Sequence, residues 1–446
     1  MLGAAVAGAV GPAAAQTPPQ RIVTIRDAET ENLIRRLSHP LFRTAGLDPA
    51  LVRITLIQNR AINAFVSTGN RMFLHTGLIQ QALSAEEVAG VLAHETGHIA
   101  GGHLARMPDE MRNAMLRSLG AMLLGGAAAA ASGQGGALMA GALGGQAMAM
   151  GEFFAFTRSQ EQAADQAALT YLDRVGWSAR GMESLLERLL EQELLAANRQ
   201  DPYFRTHPLS RDRLEFVRER LATTRHPDAP LPSALVDAFA MVRAKLDGFI
   251  DAPATTWRRY PATDGSQPAR YARTIAQFRS GRIAEALAIL ETLIQESPSS
   301  PWLHELKGQI LFEGQRATEA LVPYATAARL APEEGLIRLN HARVLVELGA
   351  PQQLRQAISE LEAALRTERG SPFAWRQMAI ARGRLGELPM ADIALAEEAL
   401  LLGDPRSASI LARRAERALP PGPLRLRAQD IANAAEPENQ PVRSRW

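Results

Sequence analysis

His94-Glu95-Thr96-Gly97-His98 sets two imidazoles four residues apart with an acid beside the first. On an α-helix that spacing is a rotation of about 400°, so the rings lie one turn apart on one face and can converge on a single cation. Glu95 sits about 100° around the helix and reaches a water held by that cation, from which it can take a proton and hand it to a leaving amine. Neutral imidazole nitrogens suit zinc, and three protein ligands leave a fourth position for a water whose pKa falls to about 7. The chemistry is hydrolysis without a covalent enzyme intermediate. The rest of the chain agrees with it: there is no cysteine, which removes thiolate sites, disulfides and cysteine nucleophiles together, and no recognisable serine elbow.

Such a centre needs a third ligand. A histidine six positions after His98 would supply one, but Leu104 stands there. His103 is one position short, and on a continuing helix it would lie about 140° from His98 and face elsewhere, so it reads as structural. Downstream, Thr157-Arg158-Ser159-Gln160-Glu161-Gln162-Ala163-Ala164-Asp165 puts Glu161 and Asp165 on one helical face. One carboxylate could ligate the cation while the other holds a ligand histidine in place. By themselves two such acids are usually a solvated helix edge; the histidine motif upstream gives them another meaning. Gly97, inside that motif, lets a second segment approach the helix closely.

The histidine motif joined to a later E-x-x-x-D helix resembles the gluzincin peptidase family that includes the CAAX prenyl protease and the heat-shock membrane protease HtpX, over about residues 25–225. The resemblance implies a zinc metalloendopeptidase with His94, His98 and Glu161 as ligands of one zinc ion, Glu95 as general base and Asp165 as the partner of a ligand histidine. It also implies that His207, in Arg205-Thr206-His207-Pro208, stands in the active site. There it would either stabilise the oxyanion or occupy the open metal position and silence the enzyme. Asn63-Ala64-Phe65 matches the family's edge strand, which pairs with an extended substrate through its main chain. Thr157 before Arg158 departs mildly from the commoner serine. The metal is expected to be zinc, although His2Glu sites accept other divalent ions.

Several elements must position these groups. Ser84 followed by Glu87 is a capping-box pair that starts the helix of the motif. A helical pattern over 21–46 precedes it, and β-rich runs at 52–57, 63–66 and 72–75, separated by turns such as Gly69-Asn70, predict a small antiparallel sheet. Residues 118–151 carry no charged side chain and are crowded with Gly and Ala. They read as close-packed, with a loop touching membrane or substrate as the second reading and a bilayer span as the third.

The 446 residues call for more than one domain. Residues 1–15 are apolar and end in an A-x-A pattern, which reads as a signal peptide; the missing basic stretch before it leaves either a leader shortened at its start or an Ala-rich tail. The protease domain is expected over 21–250, a Pro- and Gly-bearing linker over 251–267, helical repeats over 268–420 and a tail over 421–446.

In the repeat region Ala286 and Pro298 recur as Ala320 and Pro332, and Ala357 recurs as Ala391, each 34 residues on. Gly281, Gly314 and Gly386 fall where the turn between paired helices belongs, and extra residues are expected near 350–353. This resembles the tetratricopeptide repeat family, whose stacked helix pairs form a solenoid with a concave face for a peptide or protein.

The fold class is therefore mainly α (α+β): a helical zincin domain with a small edge sheet, followed by an α-solenoid. Its combination of domains resembles exported enzymes of the Gram-negative periplasm that cleave misfolded or stalled envelope proteins in outer-membrane quality control. The rival is a chaperone or adaptor that works through the repeats with a latent metal site. Lys plus Arg number 49 against 47 for Asp plus Glu, a net charge of +2, so nothing calls for nucleic acid.

Overall fold

Helix α1 (Ala28–Thr44) begins where Asp27 accepts a hydrogen bond from the Thr30 N–H at 2.7 Å, which satisfies one of the helix's unpaired donors. Its Leu33, Ile34, Leu37 and Leu41 recur at helical spacing and are buried. In the computed structural model the described residues are 22–103, 105, 157–191, 203, 207 and 211–436. The expected leader at 1–15, the uncharged segment 118–151 and the end of the tail lie outside them. Among the described residues, no helix is long and apolar enough to cross a membrane.

A two-residue strand β1 (Thr24–Ile25) precedes α1, and β2 (Arg53–Ile57), β3 (Ala64–Ser67) and β4 (Arg71–His75) complete a sheet of order β1-β2-β4-β3. The hairpin β3–β4 turns through Gly69 and Asn70, both in the left-handed region at φ of 77° and 54°. The antiparallel sheet expected from the sequence is in fact mixed, because β4 pairs in parallel with β2, Ile57 standing opposite His75. Burial explains the order. Met72 and Leu74 make β4 the strand that takes the centre, while the less buried β3 is left at the edge.

Against this sheet lie α2 (Thr76–Gln81) and α3 (Ala85–Ala100), and α4 (helical over 157–175), α5 (Arg180–Leu190), α6 (Arg211–Leu221) and α7 (Ser233–Ile250) pack around these helices. One core unites them, with Leu37, Met72, Leu78, Val88, Leu92, Leu169, Leu189 and Val242 among its members.

The stretch expected as a linker holds a helix, α8 (Pro253–Arg259), after which Tyr260 is tied back to α7 by a 2.8 Å hydrogen bond from its hydroxyl to Asp247. Paired helices follow: α9 (Gln267–Arg279), α10 (Ile283–Glu296), α11 (Pro301–Glu313), α12 (Ala317–Leu330), α13 (Gly335–Leu348), α14 (Pro351–Ala364), α15 (Pro372–Arg384), α16 (Leu388–Leu402), α17 (Pro405–Ala418) and α18 (Pro423–Ala434). α10 and α12 begin 34 residues apart, as do α11 and α13. The repeated Ala286, Ala320, Ala357 and Ala391 are buried, since only a methyl fits where helices cross closely.

The extra residues of the third unit lengthen α14 at its start, near 350–353: α14 begins six residues before Ala357, whereas α12 and α16 begin three before Ala320 and Ala391. In the connection after α14, Glu368 pairs with Arg26 at 2.8 Å, which ties the solenoid to the chain just before α1. One detail differs from the sequence pattern. Part of the expected tail forms α18, which buries Ala428, Ile431 and Ala432 against the solenoid end.

Candidate metal centre

Ser84 caps α3 by accepting from the Glu87 N–H at 3.4 Å, while Glu87 reaches back to the Leu83 N–H at 3.0 Å rather than to Ser84 itself. Glu87 is fully buried and is held by Arg188 at 2.6 Å and by the Ser184 hydroxyl at 2.9 Å, so the capping acid also pins α3 to α5. Three turns on, α3 presents His94, Glu95 and His98, all buried.

Gly97 explains how α4 comes near enough to join them. A Cβ there would meet the Ala164 carbonyl oxygen at 2.9 Å and its Cα at 3.0 Å, so the two backbones touch. That contact sets Glu161, one turn before Ala164, and Asp165, directly after it, against the histidines.

The polar atoms converge. His94 Nε2 lies 3.0 Å from His98 Nε2, 3.2 Å from His207 Nδ1 and 3.4 Å from Glu161 Oε2. Glu161 Oε1 is 3.3 Å from His98 Nε2, and His207 Nδ1 is 3.2 Å from both Glu161 oxygens. One donor atom from each of His94, His98, Glu161 and His207 can be chosen so that all lie within 4.8 Å of one another. A tetrahedral site with ligands about 2.0–2.1 Å from a zinc ion has donor–donor edges of about 3.3 Å, close to these separations, so the four residues fit the ion the sequence implies.

Charge agrees with that fit. Burial disfavours a charged His94, but its contacts with Asp165 and Glu161 overcome this and push it up to about 10. The same carboxylates would favour a metal cation in the proton's place. Burial raises Glu161, yet contacts with His207, His94 and His98 hold it well below the usual carboxylate range, and burial lowers His98, which keeps that ring neutral as a ligand must be.

Asp165 Oδ1 lies 2.9 Å from His94 Nδ1, the nitrogen that faces away from the cluster. Arg213, at the start of α6, donates to Asp165 at 2.7 and 2.8 Å and pairs with Glu161 Oε2 at 2.9 Å. One buried guanidinium thus orders both acids of α4. Glu95 is different: neither buried oxygen has a hydrogen-bond partner among the described residues, although His207 Nε2 stands 3.3 Å from Oε1. A carboxylate left so bare beside a donor cluster is suited to a water or a substrate group. His207 Nε2 is also 3.3 Å from the carbonyl oxygen of Ala64 on edge strand β3.

The structure therefore brings together all six residues singled out in the sequence. It adds Arg213, and Tyr203, whose ring centroid lies 4.6 Å from that of His207. Neither carries a spacing signal, because each reaches the centre from a separate segment. His103 must be corrected: it does not face away, because α3 ends at Ala100 and the chain turns back, leaving His103 Nδ1 at 2.9 Å from His98 Nδ1.

Comparison with known proteins agrees with this geometry. The chain is 30% identical over 311 residues to the β-barrel assembly-enhancing protease of Escherichia coli (strain K12), a match that covers 67% of this chain and 61% of the relative, so it spans about three fifths of that protein. The protein of the same name from Yersinia pestis is 28% identical over 390 residues, covering 85% of this chain and 77% of the relative. Metalloprotease LoiP of E. coli (strain K12) is 30% identical over 163 residues, or 36% of this chain and 59% of its own. Residues 26–221, which include the whole donor cluster, match peptidase family M48. The chain thus carries a peptidase family M48 domain, and the clustered histidines and acids lie within it.

Proposed function

We propose that the protein is an exported, zinc-dependent endopeptidase that hydrolyses misfolded or stalled envelope proteins in the periplasm, in support of outer-membrane protein assembly. The observation that carries the reading is the buried four-residue donor cluster with the buried Glu95 carboxylate at its side. The relatives' names, which speak of β-barrel assembly, support the envelope setting.

In this reading His94, His98 and Glu161 hold the ion, and Asp165 keeps His94 in the tautomer that presents Nε2. When bound, zinc supplies polarisation of the scissile carbonyl and acidifies a water. Glu95 takes the proton of the attacking water and returns it to the leaving amine. Edge strand β3 offers its outer main-chain edge to an extended substrate, which makes selection insensitive to sequence. The solenoid recruits protein: a cavity of about 520 Å3 between α7, helices α11–α13 and the start of α15, lined by Lys245, Glu305, Asn340, Arg343 and Phe373, suits a polypeptide segment. The test is casein hydrolysis by the zinc-loaded chain beside Glu95→Gln. A fall of about 10²–10⁴-fold with zinc retained supports the peptidase; equal rates would refute Glu95 as the base.

One observation favours a latent state. His207 supplies the fourth donor of the cluster and also touches Ala64, which supports a reading in which it fills the open metal position beside the substrate's strand edge. A catalytic zinc site keeps one position open. We infer that His207 holds the enzyme closed and leaves when substrate is bound, which would let the solenoid act as an adaptor until then.

A further inference from the structure

α3 ends at Ala100, and Gly101 and Gly102 turn the chain, Gly102 at φ of 62°, a region that side-chain-bearing residues avoid. The turn brings His103 back against the face it has just left. Its Nδ1 lies 2.9 Å from His98 Nδ1, and the two rings meet nearly edge to face, 84° apart with centroids at 4.9 Å. The site around His103 is tightly built. The residue is buried, Gln160 of α4 donates to its carbonyl at 3.3 Å, and a Cβ on Gly101 would come within 2.4 Å of its Nε2.

The proton positions follow from the geometry. For His98 to turn an Nε2 lone pair toward His94 and Glu161, its ring proton must sit on Nδ1. That N–H points at His103 Nδ1, which accepts only if His103 carries its own proton on Nε2. Asp165 does the equivalent for His94 from the other helix.

We propose that His103 is a positioning residue for the metal centre: it accepts the His98 Nδ1–H and so fixes the tautomer and ring angle of the second histidine ligand. The two histidines are then supported unequally, His94 by an anion and His98 by a neutral ring. The turn Gly101-Gly102 is required because a side chain at the first glycine would strike His103 and one at the second would strain the backbone. This assignment rests on the reading of His94, His98 and Glu161 as ligands.

The experiment strips the full chain of metal and titrates it with zinc against a chromophoric chelator, for the parent, His103→Leu and His103→Asn, with thermal melting of each metal-free form. His103→Leu removes the acceptor and should bind zinc about 10–100-fold more weakly, the usual cost of losing a partner behind a ligand. His103→Asn places its amide oxygen where Nδ1 was and should keep the parent's affinity; His103→Ala replaces Leu if the larger side chain disturbs folding. Equal metal-free melting with weakened binding in Leu alone supports the proposal. A Leu variant that binds as the parent does, or an Asn variant as weak as Leu, overturns it. A parent that takes up no zinc overturns the ligand reading and this proposal together, which separates the two failures.

Discussion

Asp165 accepts from two sides, His94 Nδ1 on one oxygen and the Arg213 guanidinium on both. Arg213 outweighs the effect of burial and holds the Asp165 carboxyl below its ordinary range, so it stays an anion facing His94. Asp165→Asn should therefore weaken zinc binding about 10–100-fold, read by chelator competition, while leaving one ion per chain at saturation. His207→Ala tests the closed state. It should raise casein cleavage if the ring blocks the open position, and unchanged rates would remove the gate. These roles divide cleanly by what the sequence could say. His94, Glu95 and His98 declare themselves by spacing along one helix, whereas Arg213 is an arginine like many others until it is found buried against two acids of another segment.

Among the elements, the decisive contact is α3 on α4. Gly97 touches the backbone of Ala164, so any side chain there pushes Glu161 and Asp165 away from the histidines. Gly97→Val should cost about 1–3 kcal/mol of stability from overpacking and lower zinc affinity in the same variant, measured by denaturant unfolding and chelator competition. A loss of stability without loss of affinity would show that α4 can shift and still deliver Glu161. The sequence indicated that Gly97 made room, but the segment that would use it lies some 60 residues away and only packing could name it. The sheet teaches the same lesson. The strands were legible from their β-branched and aromatic runs, but the parallel pairing of β2 with β4 depends on which strand is buried most, and alternation within a strand does not say which neighbour it takes.

At the scale of the whole molecule, the protease domain and the solenoid share a buried ionic group. Lys245 of α7 lies 3.3 Å from Glu29 and 3.8 Å from Glu305 of α11 and pairs with Asp27, while the Tyr271 hydroxyl of α9 donates to Glu29 at 2.9 Å. Three carboxylates face one ammonium, and Glu305 Oε2 has no hydrogen-bond partner among the described residues. Burial, with Asp27 and Glu29 adding to it against the pull of Lys245, pushes Glu305 up to about 7 from an ordinary 4.5. A carboxyl raised on folding favours the folded state while protonated, so its contribution is fully present below about 4.5 and is lost as pH rises through about 7. Glu305→Gln should accordingly stabilise the chain at pH 8, on the order of 1–3 kcal/mol, and make little difference at pH 4.5. Melting curves at the two pH values check this, and an equal effect at both would show that Glu305 does not titrate in that window.

What the sequence determined by itself is local. Helical spacing set the two histidines and Glu95 on one helix, a second spacing set Glu161 and Asp165 on another, and a 34-residue recurrence announced stacked helix pairs, because each of these patterns is the period of a single element or repeat. What only the tertiary structure decided depends on contacts between distant segments. These are the arrival of Arg213 at the centre, the return of His103 through a glycine turn that ended the helix early, and the folding of the expected linker and the docking of Glu368 onto the protease domain. A chain's own periodicity says which face an element will bury, but the partner that covers the face is chosen by burial and charge pairing across the whole fold, which no single stretch of sequence contains.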